Sequence, residues 1–209
     1  MCSPSAATRD PHPLLLRTCI ERLARDTNGG ASAGSAEAAT MEAVVQALEA
    51  TQATTALDPD LLAGTWNQIY TNNPAGGTVA GDGQTSRRSM IGPVSGRVTQ
   101  IVRLPEDAGT SGRYTQRAAA GRGLLEARLD AALEPLPYPG QGPLAWSVSF
   151  ETFSWRALWR VLPLRARELG GKGGGEWRHT YVDANWRVMR AANRRGDGQE
   201  TLYVLRRGS

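Results

Sequence analysis

Apolar residues recur along this chain at two different spacings. Leu16, Ile20 and Leu23, with Cys19 alongside, fall three and four apart, the period of a helix. Pro13 suits the start of that helix and Asn28-Gly29-Gly30 its stop. After a Gly/Ala/Ser stretch, Met41, Val44, Val45 and Leu48 share one face of a second helix, for which Thr40 is a fair N-cap. Both apolar faces are narrow and need something to lie against. From Leu61 the period shortens to two. Residues 62–70 read as a strand, ended by Asn72-Asn73-Pro74. Val94, Val98, Val102 and Leu104 then fall on one side of a strand, with Ser95, Arg97, Thr99 and Arg103 on the other. Residues 113–119 read as a polar-rich strand. Leu125, Ala127, Leu129, Ala131 and Leu133 alternate with charged residues, and Leu144, Trp146, Val148 and Phe150 alternate with small and polar ones.

Trp155, Leu158, Trp159 and Leu162 return to helical spacing. A Gly-rich stretch at 170–175 reads as a flexible hairpin loop before three closing strands. Trp177, His179 and Tyr181 share a face of the first. Asp183-Ala184-Asn185 turns into the second, residues 186–190, and Leu202 to Leu205 form the third. About eight strands with no helices alternating between them predict an antiparallel up-and-down barrel or a sandwich. A barrel of about eight strands is filled by its own side chains or holds one small ligand. The expected organisation is a disordered N-terminus at 1–12, a helical segment of two short amphipathic helices at 13–56, and a β-barrel domain at 57–209.

Charge and composition narrow the function classes. The 209 residues carry a formal net charge of +4. That value hides a gradient: residues 1–86 have four basic and nine acidic side chains, residues 87–209 twenty and eleven. Every basic residue except Lys172 is arginine, the side chain that holds carboxylate and phosphate and stacks on aromatic rings. No run approaches the roughly 18 apolar residues of a membrane-spanning helix. Cys2 and Cys19, with His12 and His179, offer no zinc spacing and no disulfide scaffold. No secretory signal core is present, so a reducing compartment is expected. Gly30-Ala31-Ser32-Ala33-Gly34 matches G-x-S-x-G, but it follows a helix stop, whereas a nucleophile elbow lies between strand and helix. His179 on a Trp/Tyr face reads as a structural histidine. No acid, base or metal set stands out, and no cofactor is expected.

Two segments carry a family resemblance. Leu61-Leu62-Ala63-Gly64-Thr65-Trp66-Asn67-Gln68-Ile69-Tyr70-Thr71 resembles an L-x-G-x-W-x-L-x-Y-T-S strand. Residues 176–190, containing Trp177, Thr180-Tyr181, Asp183 and Arg187 to Arg190, with Leu202-Tyr203-Val204-Leu205, resemble a closing W-x-x-T-Y-x-D-x-x-x-R-I-x-R-G…-L-F-V-L pattern. Both are similar to the plastid lipid-associated proteins, or plastid fibrillins. Ala191 departs from the usual Gly, residues 192–200 form an insertion, Asn72 replaces a small hydroxyl residue, and residues 75–150 match in pattern only. The resemblance implies a lipocalin-like barrel at plastoglobules or thylakoid membranes that binds or organises carotenoids, quinones and other prenyl lipids without catalysis. It also implies a plastid (chloroplast) location. Residues 1–9 have transit-peptide composition but are short for one, so a missing or truncated leader is expected.

These readings name candidate residues. Trp66 is expected to plug the barrel floor, with Gly64 allowing close backbone approach and Arg187 or Arg190 stacking on the indole and bonding backbone carbonyls. Val98, Val102, Leu129, Trp146, Val148 and Tyr181 are expected to line a lumen for a hydrophobic lipid or pigment. Trp155, Arg156, Leu158, Trp159, Arg160 and Leu162 form a candidate membrane-surface element, or a helix across one barrel opening. The competing readings are a filled barrel that coats lipid droplets, an enzyme on a lipophilic substrate, and a nucleic-acid-binding β domain, which no sequence motif supports. The sequence does not fix an oligomeric state.

Overall fold

The computed structural model describes residues 12–52, 58–73, 98–104, 111–120, 125–136, 144–157, 163–171, 173–193 and 200–208. Two helices come first, α1 (Pro13–Asp26) and α2 (Ser35–Ala50). A single 3-10 turn (Pro59–Leu62) leads into the strands. These are β1 (Gly64–Thr71), β2 (Val98–Arg103), β3 (Gly112–Ala120), β4 (Leu125–Pro135), β5 (Leu144–Ala157), β6 (Pro163–Glu168), β7 (Gly174–Val182), β8 (Trp186–Asn193) and β9 (Glu200–Arg207). No described helix is long and apolar enough to cross a membrane.

Every pairing is antiparallel, and the sheet closes on itself. From β1 the order runs through β2, β3, β4, β5, β7, β8 and β9 back to β1, an eight-stranded barrel. β6 and β7 lie end to end along one edge of the long β5: Thr152 pairs Glu168, and Ser149 pairs Gly174. Five residues thus separate Glu168 from Gly174 where two separate Ser149 from Thr152. The Gly-rich stretch is therefore a break in one long strand, not the hairpin loop expected from sequence. Gly174 shows why glycine is needed there. Its φ is +121°, and a Cβ would sit 1.9 Å from the Val148 carbonyl oxygen.

The two apolar clusters lie on opposite sides of the barrel wall. The lumen cluster holds Trp66, Tyr114, Trp146, Phe150, Phe153, Trp177, Tyr203 and the aliphatic residues between them. The outer cluster packs Leu16, Ile20, Met41, Val45 and Leu48 of the helices against Tyr70, Tyr181, Trp186, Val188, Leu202 and Val204. β8 and β9 thus bury both faces: Trp186 and Val188 look out at the helices while Met189, Tyr203 and Leu205 look in. This outer wall is what the narrow helix faces lie against.

Besides a shift in the β5–β6 ladder at Trp155/Arg156, three irregularities in the closed barrel change which side a residue faces. Ladder shifts occur between Gln68 and Tyr70, between His179 and Tyr181, and at Asp130/Ala131 opposite β5. An extra residue in one strand inverts the inside–outside alternation beyond it. Trp66 faces the lumen but Tyr70 faces the helices, and Trp177 faces the lumen but Tyr181 does not. In β5 the inward set Trp146, Val148 and Phe150 continues as Phe153 and Trp155, three apart at the bulge. Trp155, expected to open a helically spaced run, is instead a residue of this strand. At the N-terminal side, α2 begins at Ser35 with Gly34 as N-cap, not at Thr40. Three of the five residues ahead of Thr40 are alanine, the strongest helix former, so the helix starts earlier. The G-x-S-x-G residues form the turns joining the two helices, away from any strand-to-helix elbow.

Candidate functional site

Trp66 stands near the start of β1, in the lumen cluster. It is fully buried, and its indole Nε1 donates to the Leu62 carbonyl at 2.9 Å. The Arg207 guanidinium lies 4.3 Å from the ring centre. Arg207 also donates to the carbonyls of Leu61 at 2.7 Å, Ala63 at 3.0 Å and Ala184. The stacking and carbonyl-bonding role expected of Arg187 or Arg190 therefore falls chiefly to Arg207. Gly64 has φ +122°, and a Cβ there would meet Arg207 Nη1 at 2.6 Å, so the close neighbour is that guanidinium and not passing backbone.

Arg187 occupies the lumen itself. It is 0% exposed, on β8, with its guanidinium 5.4 Å from the centre of the Trp66 ring. Its Nη2 donates to Gln100 Oε1 of β2 and lies 3.9 Å from Met189 Sδ. Among the described residues its Nε and Nη1 have no hydrogen-bond partner, and no carboxylate pairs with it. Burial pulls its pKa down to about 10, and the nearby Arg207 pushes the same way, yet it stays cationic at neutral pH. His179 of β7 pairs Met189, two residues along β8 from Arg187. Its ring is buried, its Nδ1 also has no partner among the described residues, and burial with the Arg187 charge holds its pKa well below 6.5. Tyr114 stacks edge-on with Trp177 at 4.7 Å and donates to Gln116 Oε1 at 2.7 Å. Burial raises the pKa values of Tyr114 and Tyr203, so both phenols stay protonated. The inner face of the barrel thus packs aromatic rings around a cationic, donor-rich spot on its β7–β8 side.

The other predicted positions divide by side. Val102, Leu129, Trp146 and Val148 are buried in the lumen cluster with Trp66, and Val98 packs half-buried against it. Tyr181 and Arg190 are outside the lumen, because the β7 bulge and the β8 alternation turn them toward the helices. Tyr181 donates to Asp183 at 2.7 Å and accepts from Arg17. Arg190 bonds Glu42 at 2.7 Å and Glu49 at 2.9 Å. Trp155 is partly buried against the lumen cluster, which removes it from a membrane-facing patch, while Arg156 is exposed on the outer side. Leu158, Trp159, Arg160 and Leu162 lie outside the described residues. Sequence reasoning missed Gln100 and Arg207. Gln100 could have been placed from its alternation between Val98 and Val102. Among the described residues no three His, Cys, Asp or Glu side chains converge as metal ligands. Comparisons with family models, curated proteins and solved structures return no match to this chain.

Proposed function

We propose that the barrel is a non-catalytic carrier that holds one hydrophobic molecule in its lumen. The class implied by the sequence resemblance is the plastid prenyl lipids, carotenoids and quinones, taken up at plastoglobule or thylakoid surfaces. One observation carries the reading: an aromatic interior contains buried polar atoms of Arg187 and His179 that have no partner among the described residues. A barrel packed only for stability pairs or omits such atoms, since each unsatisfied one costs about 1–3 kcal/mol. A ligand with an apolar tail and a polar head supplies both the missing partner and buried area, at about 25 cal/mol per Å² of apolar surface.

The test is retention and titration. Protein purified in the presence of a plastid-like lipid mixture should carry about one prenyl lipid per barrel after solvent extraction and mass spectrometry. A saturable change in tryptophan fluorescence should accompany titration with a prenyl alcohol such as phytanol, because Trp66, Trp146 and Trp177 line the lumen. Stoichiometric absence of lipid together with a flat titration overturns the proposal in favour of a filled barrel.

A further inference from the structure

We infer that the ligand carries a single negative charge at its head, a carboxylate being the simplest, and that Arg187 anchors it; this rests on the lumen-binding reading above. The argument is one of charge. Other shielded arginines spend their donors on acids or on backbone carbonyls: Arg190 has Glu42 and Glu49, Arg17 has Asp183, Arg128 has Asp130, and Arg207 has three carbonyls. Arg187 is more deeply buried than any of these, and its only acceptors among the described residues are the neutral Gln100 amide and a thioether.

A neutral hydroxyl or quinone oxygen satisfies one donor but leaves the cation uncompensated. A carboxylate accepts from Nε or Nη1 and neutralises the charge in the same contact, which makes charge-assisted bonds of roughly twice the usual strength. A doubly charged phosphate brings more charge than Arg187 neutralises, because Arg207, the other cation beside Trp66, already spends its donors on the carbonyls of Leu61, Ala63 and Ala184. The His179 ring sits on the same inner wall and offers Nδ1 to the second carboxylate oxygen or to the tail's first polar group. The aromatic rings beyond it receive the tail.

The decisive comparison is phytanate against phytanol, which share one branched tail and differ only at the head. Both are titrated into the unmodified protein at pH 7.4 by fluorescence and calorimetry. Phytanate is expected to bind at least about tenfold more tightly. In Arg187→Met, checked for retained near-ultraviolet circular dichroism, that preference should vanish while phytanol affinity stays within about threefold; Arg187→Lys should keep part of it. Equal affinities for the two probes in the unmodified protein overturn the anionic head and leave the lumen reading standing. Failure of both probes to bind overturns the two together. A persistent preference for phytanate in Arg187→Met removes Arg187 as the anchor.

Discussion

The two sides of the barrel wall solve the same problem in opposite ways. On the outside of β7–β8–β9, polar groups are matched before they are covered. Arg190 meets two glutamates of α2, Thr180 bonds Glu49, Gln52 exchanges bonds with the Val182 backbone, and Arg206 meets Glu21. On the inside, one arginine is buried more completely and left without an acid. The outer arrangement is what a docked helical pair requires. The inner one costs stability unless something else enters, so the contrast separates residues kept for architecture from residues kept for a guest.

Three changes test that contrast, the largest first. Glu49→Ala strands Arg190, which is only 14% exposed, beside a single remaining acid. The expected loss is about 2–4 kcal/mol in urea unfolding, since breaking one partner of a shielded pair is costlier than removing both. A change below about 0.5 kcal/mol would show that the outer pairing is decorative.

The second change is in pH. His179 is neutral when folded, with its pKa depressed below the ordinary 6.5 first by burial and then by Arg187. As pH falls below that value the unfolded chain binds the proton first. Stability present above pH 6.5 is then lost at up to about 1.4 kcal/mol per pH unit, until the folded-state pKa is reached. Urea midpoints at pH 7.5, 6 and 5 should fall in the unmodified protein and flatten in His179→Phe. The same slope in both proteins would assign the loss to other groups.

The smallest expected effect has the opposite sign to the first. Arg187→Met removes an uncompensated buried cation, and thermal unfolding of the ligand-free protein should be unchanged or stabilised by up to about 1 kcal/mol. A loss above about 3 kcal/mol would make Arg187 architectural, and the contrast between the two sides would disappear.

Much of the wall was legible because its alternation is strict where the ladder is regular. The even rhythm of Leu125 to Leu133 and of Leu144 to Phe150 placed β4 and the first half of β5. What sequence could not register is where one extra residue is inserted. Tyr70 and Tyr181 keep the spacing of lumen residues, yet a bulge turns each to the helices. The start of α2 was lost to a cap residue with a good side chain but the wrong place, since helix propensity upstream outweighed it. Within the site, Arg187 lies over the Trp66 indole as expected, but the carbonyl bonding belongs to Arg207. Arg207, 141 residues from Trp66 and twenty from Arg187, reaches the indole because β9 pairs β1, a contact no local pattern reports.

That last pairing sets an order of events during synthesis. Gln68 of β1 has its ladder partner in Leu205, and the carbonyls just ahead of β1 wait for the guanidinium of residue 207. A ribosome that has released only the first half of the polypeptide exposes an open, unpaired strand edge. The cylinder is sealed only after translation of β9, which also completes the outer wall on which the two helices dock.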